Sequence, residues 1–199
     1  MNRVHRSVLA NGLRLAVIPI ADLRSTSVLL AVEAGQWFEP VGRPGIARLV
    51  AQTMLRGTAR RDAAAWASEL DALGAVARLD VGAHAAVFSA QCLGDDLGAL
   101  LALIAEAVRT PALGDAEVEF VRGQTLARLE KDERDTRAVS DRAWRQLVYP
   151  TGHPFQAPAI GTRGSTSPCC IRSGVVTLFA CVKGECAAYD APFSHGRLK

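Results

Sequence analysis

The sequence predicts an α+β fold, a mainly antiparallel sheet with helices packed on one face. Three observations lead there. Asn11-Gly12 between two apolar runs is a hairpin signal. Residues 25–35 read as a strand that gives way, after a proline- and glycine-rich loop, to an amphipathic helix. More strands and then several helical stretches follow.

Taken in order, SVLANGLRLAVIPI places paired strands at 7–10 and 13–18. STSVLLAVEAG (25–35), rich in Val and Leu and ended by Gly35, reads as a buried strand. QWFEPVGRPG interrupts regular structure with two prolines and two glycines, directly after Gly35. A helix over 45–55 follows, closed by Gly57, with Ile46, Leu49, Val50 and Met54 on one stripe. Asp62 caps a second helix that runs to about Leu73 and stops at Gly74. Residues 76–93 look like two strands, and 95–110 form a strongly apolar helix ended by Pro111. Asp115 begins a longer helix that passes Arg134, and another covers about 137–148. Glu130 and Arg134, Glu133 and Arg137, and Asp141 and Arg145 stand four apart in the favourable acid-first order, the mark of a solvated, salt-bridged face.

With 199 residues, 49% of them hydrophobic, the chain can bury a sizeable core. Its formal charge of +3 is spread without a basic run, which argues against nucleic-acid binding. Arg14, Pro19 and Asp22 interrupt every candidate h-region of a signal peptide, and no apolar run reaches membrane-spanning length. The expected compartment is the cytoplasm, with no membrane partner.

The stretch GIARLVAQTMLRGT (45–58) carries the functional question. Arg48, Ala51 and Gln52 stand at i, i+3 and i+4, one face of a helix. A zinc peptidase uses that spacing for two His ligands and a catalytic Glu. A guanidinium has no lone pair for a metal, and alanine has no proton acceptor.

The stretch VEAGQWFEPVGRPGIARLVAQTMLRGT resembles the pitrilysin, insulinase and mitochondrial processing peptidase family of zinc metallopeptidases, whose signature reads approximately G-x-A-H-x-x-E-H-M-x-F-x-G-T. Gly45, Ala47, Gly57 and Thr58 stand in register with it. ANGLRLAV, VEAG, ELDALGA and YPTGHPFQAPAIGT at 149–162 occur in the family's order and spacing, so the resemblance covers residues 4 to about 164. It implies that the two His ligands fall on Arg48 and Gln52, the catalytic Glu on Ala51, and a third ligand, a Glu, on Arg128 or Leu129. None of these fits. Glu130 lies one or two places on, about 100–200° around a helix, and cannot simply substitute. Arg78 or a neighbour stands where the family often carries an Asn.

The resemblance therefore implies a pseudopeptidase with no catalytic residue and no bound cofactor, although active members hold zinc. In several family members such a subunit pairs with a homologous active peptidase around an extended peptide, and both are the expected partners. The alternatives are a metallopeptidase with unorthodox ligands, or a truncated remnant.

Other candidate ligands are scattered. His5, His84, His153 and His195 do not form a zinc pair in sequence; His84 falls in an expected strand and His153 in a turn. Cys181 and Cys186, with Cys169, Cys170 or His195, give only a weak metal pattern. Arg48 and Arg128 are expected either to hold a peptide carboxylate or a partner's acidic loop, or to pair with local acids such as Glu130 or Asp80 or point into water. Four of the five cysteines and two of the three lysines fall after Gly164. Residues 1–164 are thus expected to be the peptidase-like domain and 165–199 an atypical tail, which an altered reading frame or truncation would explain.

Overall fold

The computed structural model describes residues 3–166. The cysteine-rich tail and His195 lie outside the described residues. Among these, strands β1 (His5–Val8), β2 (Arg14–Val17), β3 (Ser25–Val32), β4 (Val76–Val81) and β5 (Ala86–Leu93) alternate with helices α1 (Ile46–Met54), α2 (Ala63–Ala72), α3 (Leu97–Arg109), α4 (Asp115–Asp132) and α5 (Thr136–Val148). The α+β class is as expected.

β1 and β2 form a separate antiparallel hairpin in which Ser7 faces Leu15 and His5 faces Val17. Its turn begins earlier than expected, because the Leu9–Gly12 hydrogen bond and the Gly12 φ of 82° already reverse the chain. The main sheet has the order β3-β5-β4 and is antiparallel throughout. β3 is not buried on both faces. Its residues alternate between exposed and half-buried, so only Thr26, Val28, Leu30 and Val32 turn inward.

Helices cover one face of that sheet. Phe88, Ala90 and Cys92 of β5 pack with Leu100 and Ile104 of α3, while Trp66 of α2 packs with Leu103 and Ala107. The stripe Ile46, Leu49, Val50 and Met54 of α1 joins Val118 and Val121 of α4 in a second cluster. Full burial of each such side chain contributes about 1.5–3 kcal/mol. The sheet's other face exposes Leu29, Gln91, Leu93, Val76 and Arg78.

Several local expectations need correction. His84 lies in the turn between β4 and β5 and not in a strand. The loop after Gly35 contains a single 3-10 turn, Gln36–Phe38. α4 ends at Asp132, so Glu133 and Arg137 share no helix; Glu133 instead takes Arg163 at 3.1 Å, and Glu130 meets Arg163 at 3.9 Å. Only the Asp141–Arg145 pair forms as spaced, at 2.6 Å.

Candidate functional site

The seam between α1 and α4 is set by contacts at both ends. At one end Arg56 Nε meets Glu117 Oε2 at 2.5 Å, and its guanidinium lies 4.1 Å over the Phe120 ring. At the other, Gly45 starts α1 with φ 84°, a conformation that favours glycine. A Cβ on Gly45 would come within 2.5 Å of Gly161, itself at φ 91°. The two glycines let the loop before Thr162 press on the start of α1. Arg163, two residues past Gly161, reaches Glu133 just beyond the end of α4 at 3.1 Å, so the two helices run antiparallel.

Glu39 completes that end. Its carboxylate accepts from the Gly45 amide at 2.9 Å and the Ala47 amide at 3.0 Å, two donors that α1 cannot satisfy internally. Burial pushes its pKa up to about 7, against the downward pull of the Gly45 and Ala47 amides. Sequence reasoning passed over Glu39. The available signal was an acid six residues before the helix start, inside a loop shaped by proline and glycine.

From the Arg56–Glu117 pair, two turns back along α1 and two turns on along α4, about 12 Å at 1.5 Å per residue, bring Arg48 level with Thr125. Gln52 comes level with Val121. Ala51 is fully buried, Arg48 is half-buried and Gln52 faces solvent. On α4 the buried stripe is Val118, Val121, Thr125 and Leu129, whereas Arg128 is exposed. Of the two positions that the resemblance offers for a third ligand, Leu129 lies on the buried stripe and Arg128 is exposed.

The donor set at this seam does not fit zinc. It holds a cation, a methyl group, a neutral amide and an isobutyl group where the ion needs imidazole nitrogens and a carboxylate. Among the described residues no three His, Cys, Asp or Glu side chains converge into a metal-sized cluster. Arg48 and Arg128 make no ion pair among the described residues, so pairing with Glu130 or Asp80 does not occur. Arg122, unnoticed in the sequence, adds a further guanidinium to α4. Its Nη1 reaches Glu119 at 3.0 Å, while its buried Nε has no partner.

A cleft of about 430 Å³ opens past the end of the seam, lined by Leu129, Arg142, Gln146, Gln156 and Thr162 among others. Arg48, Ala51 and Gln52 do not line it. His84 and His153, far apart in sequence, come together through the rings of Trp37 and Phe155. His5 is exposed on β1.

Known proteins share this architecture. The chain is 27% identical to the beta subunit of the mitochondrial-processing peptidase of Bos taurus over 131 residues, 66% of this chain and 26% of that protein. It is 27% identical to a protein named as a zinc protease from Mycobacterium leprae over 165 residues, 82% of this chain and 37% of that protein. The chain thus spans well under half the length of these relatives. Among solved structures, a peptidase M16 inactive domain from Pseudomonas fluorescens superposes with a TM-score of 0.79 at 23% identity, covering 86% of this chain and 42% of that one. Pitrilysin superposes at 0.76 with 17% identity, covering 89% and 20%. At these identities both likenesses show the fold alone. Residues 17–154, more than half of the chain, match the family described as Insulinase (Peptidase family M16), and the chain belongs to that family.

Proposed function

We propose that this chain is a non-catalytic member of the family, a peptide-binding or structural partner of an active homologous zinc peptidase. One observation carries the reading. The α1–α4 seam keeps its apolar stripe, its glycines and its end contacts, yet every position at which the family would place a ligand or base holds a residue without that chemistry. Water activation at such a helix needs a metal or a carboxylate base, and Ala51 supplies neither.

The hairpin supports a partner. Every residue of β1 and β2 is exposed, and Leu9, Leu13, Leu15 and Val17 share one face. A two-stranded hairpin is marginal alone, and an apolar face of this kind is what a neighbouring subunit covers. Residues 1–164 act as the family domain in this proposal, in the cytoplasm, and the tail takes no part.

The test is reconstitution with an active homologous peptidase from the same genome. Co-elution, with a change in the partner's rate on extended peptides, is expected. Separate elution together with an unchanged rate, or peptide hydrolysis by this chain alone, would overturn the proposal.

A further inference from the structure

We propose that residues 149–157 form a proton-sensitive clasp, closed while His153 is neutral and released when its Nδ1 is protonated. Five rings from three segments meet here. Trp37 comes from the 3-10 turn before α1, His84 from the β4–β5 turn, and Tyr149, His153 and Phe155 from the chain after α5. His153 stacks on Tyr149 with centroids 4.8 Å apart and planes 14° from parallel. It also meets Phe155 at 5.3 Å and Trp37 at 5.7 Å, while His84 lies 5.6 Å from Phe155 and 6.0 Å from Trp37. The Gln36 amide fastens the same loop, donating to Pro154 O at 2.9 Å and Ala157 O at 2.8 Å.

One hydrogen bond makes the assembly sensitive to protons. The Phe155 amide donates to His153 Nδ1 at 3.2 Å. That requires a lone pair on Nδ1 and so places the neutral ring's proton on Nε2. An imidazolium carries N–H at both nitrogens, so protonation turns the acceptor into a second donor facing the Phe155 amide. Imidazole is the side chain that ordinarily changes charge between pH 5 and 8.

Charged and titratable groups around the ring are few. From α5, Arg145 Nη1 lies 3.4 Å from the Phe155 carbonyl, with its own carboxylate partner Asp141 at 2.6 Å. From the β4–β5 turn the facing titratable group is His84, and from the loop itself it is Tyr149. Glu39, two residues past Trp37, is engaged by the Gly45 and Ala47 amides. The attraction of an imidazolium for the Tyr149 face opposes release. At a half-exposed ring it is worth less than an amide left facing a second donor. Because Gly161, beyond the clasp, abuts Gly45, release loosens the wall behind the start of α1.

Hydrogen exchange of the Phe155 amide, followed by NMR in the full chain and divided by intrinsic rates, tests this. Protection should fall about fivefold or more between pH 8 and pH 5, the scale of one lost hydrogen bond. His153→Asn, whose Oδ1 can accept from the amide two residues on without titrating, should keep protection constant. His84→Phe should retain the fall. Equal protection at both pH values in wild type, the same fall in His153→Asn, or its loss in His84→Phe would overturn the proposal. Should a variant not fold, the wild-type ring decides: a His153 Nδ1 already protonated at pH 8, read from its nitrogen shift, would also overturn it.

Discussion

Removing the charge from Glu39 should remove a stability gradient that runs opposite to the usual carboxylate behaviour. The Glu39 carboxyl sits at about 7 in the folded chain against 4.5 for an unperturbed Glu. Between those values the folded state holds a proton that the unfolded state has lost. Stability from this group is therefore fully present below pH 4.5 and is lost as pH rises through 7. From pH 5 to pH 8 the loss is about 2–3 kcal/mol, at 1.36 kcal/mol per unit. Glu39→Gln is neutral throughout and offers one acceptor oxygen for two amides, so it carries a constant penalty of about 1 kcal/mol and no gradient. The assay is urea denaturation of both proteins at intervals across that range. Taking wild type minus variant cancels the contributions of every other titrating group. Glu106, held low first by the Thr58 hydroxyl and then by Arg61, and Glu133, held low by Arg163, act in the opposite sense, losing stability only as pH falls below 4.5. A difference that stays flat, or grows in favour of wild type with rising pH, would show that Glu39 is not protonated in the folded chain below pH 7.

Three further outcomes are expected. Arg48→His with Ala51→Glu and Gln52→His should still bind no zinc by calorimetry, because neither Arg128 nor Leu129 supplies the third, carboxylate ligand. Gly45→Ala should cost more than about 2 kcal/mol in chemical denaturation, since φ 84° strains alanine and the new Cβ would stand 2.5 Å from Gly161. Leu15→Lys, at an exposed hairpin position, should leave the urea midpoint of the isolated chain nearly unchanged while abolishing co-elution with a homologous peptidase.

Much of the fold was legible because apolar spacing and capping residues are local. Asp62 caps α2 by accepting from the Ala65 amide, and Gly57 and Gly74 end α1 and α2 as their positions imply. The α1 stripe was readable for the same reason. What escaped depends on contacts between distant segments. Nothing local to Glu39 shows that its carboxylate turns back onto Gly45, and nothing near His84 or His153 shows that they share Trp37 and Phe155 across nearly seventy residues. That Leu129 is buried and Arg128 exposed was likewise unreadable before α4 had a packed side. The Glu133–Arg137 pairing failed for a related reason, because a helix end after Asp132 cancels the spacing rule.

A non-catalytic chain requires an α1–α4 seam without capacity for metal, and zinc stoichiometry decides whether it has one. The full chain, purified after growth with added zinc and dialysed against metal-free buffer, should retain far less than one zinc per chain by plasma emission, and Gln52→Ala should change nothing. Retention of one equivalent that disappears in Gln52→Ala, but survives substitution of the four tail cysteines, would contradict it.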